Sequence, residues 1–421
     1  MEESFINHLR SIFQDKNIAG SFGVYDVHST DLPPYLDGLT SKRQFVVCTE
    51  ASDEKTKNIL SRFLKKDIKR VAESLVWFDG EPLENEIILQ SQKLKNYLNL
   101  PQWLDDLIFN HYRATHCMDR SVTHNSDNSR EKNLNYLGTY FPRSYTESFC
   151  ICENILCNTA ILGKYKDRKK IRILSIGCGT GGDALGIIAC ACERMRNLEE
   201  LELVVADTNS DALELLCSLI KDAQRALKIK ISLKTHVISF TSGFTADPFR
   251  GEPFDFINSS KAINELLNIS PTISFYKDFV TVYSELLSDY GFLILSDVSI
   301  YFKIGGIWFP ELLNKQVNRA LVEMKGEFST LLPLCCGIVS NCECDNCYTQ
   351  KRFYITHSHA KFEESKIAYR VIVRKGFYES LGVCNQKYAS KISDTQKNCA
   401  IVKTLLSEVV DGFDLRNGFS K

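Results

Sequence analysis

The chain has 421 residues, of which 44% are hydrophobic and 24% charged, and this composition is typical of a globular protein with two or three domains. Its 51 Lys and Arg residues nearly balance 52 Asp and Glu residues, which excludes a surface that binds nucleic acid over its whole extent. No run approaches the roughly 20 apolar residues of a membrane helix, and residues 1–4 start no signal or transit peptide, so we expect a cytoplasmic protein. Most of the 16 cysteines are expected to be reduced, and many buried, since disulfide scaffolds are short.

The first 130 residues carry few structural signals. A short apolar run at 44–48 predicts a strand, and apolar residues at every third or fourth position predict an amphipathic helix at 54–77. A polar segment at 117–133 has the composition of a loop and is the predicted domain boundary. We therefore expect an N-terminal α/β accessory domain at 1–130, whose role no motif assigns.

From residue 131 onward, predicted strands alternate with predicted helices. A largely helical segment at 134–162, interrupted at Pro142, precedes strands at 171–176, 201–206, 231–239, 254–258 and 291–298 and helices at 183–197, 210–227 and 271–288. Two final strands at 352–357 and 367–373 have no long helical pattern between them, which indicates an antiparallel hairpin. This alternation predicts a Rossmann-like, doubly wound α/β fold, with a mainly parallel sheet that the hairpin closes.

A glycine-rich segment lies between the strand at 171–176 and the helix after it. Residues 175–183 read Ser-Ile-Gly-Cys-Gly-Thr-Gly-Gly-Asp. Glycine permits positive φ and close approach of a ligand, and the start of the helix presents unpaired amides. Asp207 ends the next strand, 30 residues after Gly177, where its carboxylate can accept both hydroxyls of a ribose. A dinucleotide site would offer a similar acid, with the loop admitting a pyrophosphate.

The Gly-Cys-Gly-Thr-Gly-Gly run resembles motif I of class I S-adenosylmethionine-dependent methyltransferases. The resemblance implies an enzyme that transfers a methyl group from S-adenosylmethionine, and it implies a cofactor site. The implied site residues are Ser175, Gly177, Cys178, Gly179, Gly181, Asp207, Thr208, Phe240, Thr241 and Asn258. Ser175 departs from the family, which often has an acidic residue there, and Phe240 either stacks on the adenine or packs in the core. A nicotinamide or flavin site is the alternative.

Polar residues also end the fourth strand of this predicted sheet. Asn258 and Ser259 lie at the carboxyl edge, where ligands bind in doubly wound sheets, and they are the candidate catalytic residues. The Asn/Asp-Pro-Pro-Tyr/Phe signature of many amino-group methyltransferases is absent there, which disfavours methylation of an exocyclic base nitrogen by that route. The acceptor is otherwise unassigned. A basic run at 164–170 favours RNA only if it forms a patch beside the cleft.

Five cysteines fall within 13 residues of a polar segment, at positions 335, 336, 342, 344 and 347. Thiolates at such short spacing suit either zinc or an iron–sulfur cluster, and reduced cysteines without metal are the other interpretation. We predict a metal site in an insertion at about 330–350, with the ligands Cys336, Cys342, Cys344 and Cys347. His357 and His359, at alternate positions of a predicted strand, are candidate nitrogen ligands.

Segments 136–145 and 362–371, with the cysteines between them, are similar in order and content to the mitochondrial-ribosome small-subunit methyltransferase-like family and its bacterial relatives. That resemblance implies an iron–sulfur cluster, contact with ribosomal RNA and a cofactor site without turnover. It leaves the fourth ligand open between Cys344 and Cys384. The alternative function is therefore an RNA-binding or ribosome assembly factor, with RNA or a ribosomal partner expected and no DNA-binding or membrane motif found.

Overall fold

The computed structural model describes residues 22–26, 45–49, 96–117, 129–156, 159–270, 272–300, 308–332 and 350–381. The chain divides into two units, and the second comprises Lys95–Leu156 and Leu162–Phe377. In the first unit, strands β1 (Phe22–Asp26) and β2 (Phe45–Thr49) form an antiparallel pair. Strand β2 confirms the strand predicted at 44–48, one residue later. The helix predicted at 54–77 lies outside the described residues.

The second unit contains one large sheet with helices along the chain between its strands. Its strands are β3 (Tyr97–Asn99), β4 (Lys170–Ile176), β5 (Glu200–Asp207), β6 (Lys230–Val237), β7 (Phe254–Ser260), β8 (Leu287–Val298), β9 (Phe328–Leu332), β10 (Gln350–His357) and β11 (Ala360–Arg374). The helices are α1 (Gln102–Asp105), α2 (Arg130–Thr139), α3 (Phe141–Leu156), α4 (Thr159–Tyr165), α5 (Gly182–Arg194), α6 (Ser210–Leu227), α7 (Ile263–Ile269), α8 (Phe275–Ser284), α9 (Phe309–Glu323) and α10 (Lys375–Ser380). A π-helical segment (Asp106–His111) extends α1.

The order of the strands confirms the predicted doubly wound sheet. It runs β3-β10-β11-β8-β7-β4-β5-β6, with β9 beside β11. Strand β4 pairs in parallel with β5 and β7, and β6 and β8 extend this parallel region on either side. Strand β11 is antiparallel to β8 and to β10, as the predicted closing hairpin requires. The structure therefore has a Rossmann-like fold with an antiparallel hairpin inserted at one end.

The hairpin is joined by a two-residue turn. His357 pairs with Ala360, so Ser358 and His359 form the connection, which is the short link that antiparallel strands permit. The expectation that His357 and His359 occupy alternate positions of one strand is therefore wrong. The strand ends at His357, and the turn changes the direction of the chain before residue 359.

Helix α3 packs closely on α5, the helix that follows the glycine-rich segment. The preceding helix α2 ends at Thr139, and Pro142 lies in the first turn of α3, where a missing backbone N–H costs little. A Cβ atom on Gly182 or Gly186 would come within 3.0 Å of the backbone oxygens of Phe141 and Tyr145. These two glycines therefore allow the helices to approach, and they place α3 beside the loop.

Several observed elements were not predicted from the sequence, and most of them are too short to show a periodic pattern. Among them are the π-helical segment, the seven-residue α7, and helix α9 with strand β9. Helix α9 is the exception, because buried apolar residues recur every three or four positions along its 15 residues. Strand β3 pairs with β10 in the large sheet, although it precedes the domain boundary predicted near residue 130. No helix in the described part of the chain has the length and apolar character needed to cross a bilayer.

Candidate functional site

Three glycines give the loop after β4 its shape. Gly177, Gly179 and Gly181 have φ values of 66°, 51° and 82°, in the left-handed region where a side chain is unfavourable. The amide of Gly177 donates to the backbone oxygen of Ala206 at 2.8 Å, and the amide of Gly181 donates to that of Cys178 at 2.8 Å. The loop therefore turns tightly from β4 into α5 while it stays attached to β5.

Two of these glycines also lack room for a side chain. A Cβ atom on Gly177 would lie within 3.0 Å of the Cβ atom of Ala262, and one on Gly181 would lie within 3.0 Å of Leu216 Cδ1. Ala262 directly precedes helix α7, so the loop after β4 and the start of α7 are in contact. The two segments form one wall at the carboxyl edge of the sheet.

Asp207, predicted to bind ribose, also holds the loop. Its Oδ2 accepts from the amide of Gly179 at 2.7 Å, and its Oδ1 accepts from the amide of Asn209 at 2.9 Å. Burial raises the pKa of Asp207, and these amides oppose that rise. Each carboxylate oxygen can accept a further hydrogen bond, so the carboxylate keeps capacity for a ligand. Its contact with a ribose stays a prediction.

Asp183 connects side chains of strands β4 and β7. It was not among the predicted site residues. Asp183 Oδ2 accepts from the Ser175 hydroxyl at 2.9 Å and from Asn258 Nδ2 at 2.5 Å. All three side chains are buried. Asp183 Oδ1 and Asn258 Oδ1 have no hydrogen-bond partner among the described residues, although buried oxygens almost always have one. Two acceptor atoms are therefore available for a donor ligand.

Carboxyl groups dominate the electrostatics of this site. Burial raises the pKa of Asp183 to about 6, against the opposing amide of Ala184. Burial, followed by the charges of Asp207 and Asp297, raises the pKa of Glu265 to about 7. Tyr136 is near the same groups: burial, then Glu265, Asp207 and Asp183, raise the pKa of its hydroxyl. When these carboxyl groups are ionised they favour a cationic ligand over an anionic one, and the positive charge of Lys261 offsets part of theirs.

The remaining predicted cofactor residues differ in exposure. Phe240 is 3% exposed, and its ring centroid lies 5.4 Å from that of Phe244, within the hydrophobic core. Thr241 is exposed, with its Oγ1 atom 3.1 Å from Ser239 Oγ, and Thr208 is also exposed. Stacking of Phe240 on an adenine and contacts from the two threonines stay predictions.

Two further predicted residues are buried. Burial raises the pKa of the Cys178 thiol, which lies within the loop. Ser259 is buried in β7, and it points to the opposite face of the sheet from Asn258 because side chains alternate along a strand. Only Asn258 of the two candidate catalytic residues thus shares the face that meets Asp183. A catalytic role for either residue stays a prediction.

The metal ligands predicted from the cysteine cluster, Cys336, Cys342, Cys344 and Cys347, lie outside the described residues, as does Cys384. The cysteine metal site therefore remains a prediction. Cys150, Cys152, Cys190 and Cys192 were expected at core positions of apolar helices; the first three are buried on α3 and α5, whereas Cys192 is only partly buried.

The basic run at 164–170 does not lie beside the glycine loop. Lys170 begins strand β4 and Gly177 follows the end of that strand, so about 20 Å of extended chain separates them. Arg168 pairs with Asp255, and Lys169 Nζ lies 2.8 Å from Glu199 Oε1. The run therefore does not form a basic patch beside the cleft, and it does not favour RNA as the methyl acceptor.

No protein-family model and no curated protein matches the sequence. Among solved structures, the chain is similar to an O-methyltransferase from Bacillus cereus in complex with SAH, with 11% identity, a TM-score of 0.34, and coverage of 66% of this chain and 93% of that one. It is similar to a SAM-dependent methyltransferase from Methanosarcina mazei, with 14% identity, a TM-score of 0.29, and coverage of 51% and 96%. It is also similar to a glycopeptide N-methyltransferase complexed with SAM, with 13% identity, a TM-score of 0.29, and coverage of 48% and 86%. Since identities and TM-scores are low, the Rossmann-like fold is assigned from the strand order and the loop geometry.

Proposed function

We propose that this chain is an S-adenosylmethionine-dependent methyltransferase. The observation that carries the proposal is a pair of buried acceptor atoms beside the glycine loop, Asp183 Oδ1 and Asn258 Oδ1, which have no hydrogen-bond partner in the part of the chain that the structure describes. The amino acid portion of the cofactor carries an ammonium group with three N–H donors, so it can supply the hydrogen bonds that these oxygens lack. This also accounts for Ser175, because Asp183 supplies the carboxylate that Ser175 itself does not have.

The charge of the site favours this cofactor over a dinucleotide. Both the ammonium and the sulfonium of S-adenosylmethionine are positive, whereas the pyrophosphate of NAD carries two negative charges. Asp207 is compatible with either cofactor, but a pyrophosphate at this loop would also face the carboxyl groups of Asp183 and Glu265, and like charges in a buried site repel strongly. The acidic residues therefore support a cationic ligand.

The strand order supports the same conclusion. A dinucleotide-binding sheet has the order 3-2-1-4-5-6, with the sixth strand beside the fifth. Here β6, β5, β4, β7 and β8 reproduce the first five positions, and the antiparallel strand β11 occupies the place of the sixth. The sheet thus departs from the dinucleotide order at the position of the sixth strand.

The residues of this chain would bind and orient the cofactor. Asp183 and Asn258 would hold its ammonium, Asp207 its ribose hydroxyls, and the loop glycines would let the backbone approach it. When bound, S-adenosylmethionine supplies a methyl group activated by the sulfonium. Methyl transfer depends mainly on the in-line position of the acceptor, so Asn258 at the end of β7 would act by positioning.

Titration calorimetry tests the cofactor site. We expect S-adenosylmethionine and S-adenosylhomocysteine to bind and NAD not to bind. Asp183→Asn should weaken S-adenosylmethionine at least tenfold, because the ammonium loses its counter-charge. Asp211→Asn is the matched control, since Asp211 is an exposed acid in the first turn of another helix and should leave the affinity unchanged. Tight NAD binding without S-adenosylmethionine binding would contradict the proposal.

Turnover requires a separate experiment because the acceptor is unidentified. The full chain is incubated with a methyl-labelled cofactor and total RNA, protein and small-molecule pools, and we expect label in one pool. Cofactor binding without label in any pool would instead support the binding-module alternative, an RNA-binding or ribosome assembly factor. Labelling of RNA would need a basic surface other than the run at 164–170.

The cysteine site remains part of the proposal. Cys336, Cys342 and Cys347, with Cys344 or Cys384, would hold zinc or an iron–sulfur cluster through soft thiolate ligands. Metal and sulfide analysis of anaerobically purified protein distinguishes the two. Absence of both metals, with no loss of stability in Cys336→Ser and Cys342→Ser, would remove the site.

A further inference from the structure

Three potential metal ligands converge at the closing hairpin, away from the cysteine cluster in the sequence. His116 lies in the segment after α1, His357 ends β10, and Glu363 lies on β11. One ligand atom from each lies within 4.8 Å of the other two. His357 and Glu363 are buried and His116 is partly exposed. The cluster is therefore buried on the side of His357 and Glu363 and partly exposed to solvent on the side of His116.

The spacing of the buried pair is that of neighbouring metal ligands. His357 Nε2 lies 3.3 Å from Glu363 Oε2. Ligands at zinc distances of about 2.0–2.1 Å in a tetrahedron stand about 3.3 Å apart, whereas a typical N–H···O hydrogen bond is about 2.9–3.0 Å. The distance therefore fits a long hydrogen bond, and it also fits two ligands of one ion.

The surroundings orient both rings. His116 Nδ1 lies 3.2 Å from the backbone oxygen of Gly138, which can only accept, so Nδ1 carries the proton and Nε2 has a lone pair. Phe109 stacks on His357 with a centroid distance of 5.2 Å. His357 Nδ1 accepts from the amide of His359 at 3.3 Å. An ion on His357 Nε2 would move the ring proton to Nδ1 and break this long hydrogen bond, which is a small cost.

Arg143 contacts the cluster from outside, through Glu363. Its guanidinium pairs with Glu363 Oε1, so Oε2 remains directed at the histidines. Carboxylates that bind metals are commonly held in this way by a further hydrogen bond. The positive charge of Arg143 reduces the affinity for a cation without occupying the ligand atom.

We propose that His116, His357 and Glu363 bind a zinc ion that links the closing hairpin to the segment before helix α2. Two imidazoles and one carboxylate are a donor set that zinc accepts, and three protein ligands leave a fourth position for water. His116, on the partly exposed side, would move toward the buried pair as the ion binds. The site uses none of the residues assigned to the proposed cofactor or to the predicted cysteine site.

The test measures zinc and cobalt binding by the full chain, and it must separate this site from the thiols. Cysteines 335, 336, 342, 344 and 347 are first changed to serine, and Zn²⁺ is then titrated calorimetrically. We expect one ion per chain. His116→Ala and Glu363→Gln should each lower the affinity at least tenfold, whereas His359→Ala, in the same turn but outside the cluster, should not.

Cobalt spectroscopy of the unsubstituted chain gives an independent readout if the serine variant does not fold. Co²⁺ bound to nitrogen and oxygen ligands absorbs in the visible range without the ultraviolet charge-transfer band of a thiolate site. We expect His116→Ala to remove that thiolate-free component and to reduce bound zinc by one ion per chain. Equal metal content and spectra in His116→Ala and His359→Ala would overturn the proposal, and so would the absence of any binding in the serine background.

Discussion

Gly177→Ala tests whether backbone conformation and the lack of space beside Ala262 jointly require glycine in the loop. Gly177 has a φ of 66°, and a side chain in the left-handed region costs about 1–2 kcal/mol. The new methyl group would also lie within 3.0 Å of the Ala262 Cβ atom, and overpacking of this kind costs about 1–3 kcal/mol. We therefore expect Gly177→Ala to lower the free energy of unfolding by about 2–5 kcal/mol.

A second substitution separates the two causes. Ala262 is the N-cap residue of α7, where glycine is preferred over alanine, so Ala262→Gly alone should change stability by no more than a few tenths of a kcal/mol. In the double variant the overlapping methyl group is gone, and about 1–3 kcal/mol of the loss should return. The remaining loss of about 1–2 kcal/mol is the cost of the backbone conformation.

Urea unfolding monitored by circular dichroism measures both effects. In thermal unfolding, the melting temperature should fall by about 2–4 °C for each kcal/mol of stability lost. A Gly177→Ala variant as stable as the unsubstituted chain would refute both causes. A loss that Ala262→Gly does not relieve would refute the steric cause and leave the conformational one.

Two further predictions concern charge. S-adenosylmethionine affinity should rise about tenfold from pH 5 to pH 7, because Asp183, with its pKa near 6, ionises over this range and only its charged form attracts the ammonium. Calorimetry should show a flatter profile in Asp183→Asn, and an unchanged profile would contradict the assignment. The other charged or titratable groups near this site include Asp207, Glu265, Asp297, Lys261 and Tyr136. Glu147→Gln should cost about 3–5 kcal/mol in urea unfolding, because it removes the nearest counter-charge of the largely buried Lys261 ammonium, which lies 2.8 Å from Glu147 Oε2. Lys169→Ala, which removes only an exposed pair, should leave stability unchanged, and equal losses in both variants would show that burial does not matter.

The sequence predicted the parts of the fold that depend on local patterns. Helix α6 was predicted at its observed bounds, and strands β4 and β5 were predicted within one residue at each end. Glycine at 177, 179 and 181 and the acid at 207 were identifiable because a strand–loop–helix junction has a short, regular spacing. Short elements such as α7 escaped because seven residues contain too few turns of helix to show a period.

The candidate site was only partly readable from the sequence. Asp183 directly follows the glycine run, and an acid in the first turn of a helix was the signal that could have identified it. Its partner Asn258 is 75 residues away, and they meet because β7 pairs with β4. His116 and His357 are also far apart in the sequence, and they meet beside the turn of the closing hairpin.

Sequence periodicity and spacing thus determined the α/β alternation, the glycine loop and the closing hairpin, since each is encoded within about thirty residues. Only the tertiary structure decided which carboxylates face the crevice, that the basic run lies at the opposite end of β4, and that two histidines and a glutamate converge. The physical reason is that side-chain proximity depends on the order of strands in the sheet. That order is set by long-range packing, and no local pattern along the chain records it.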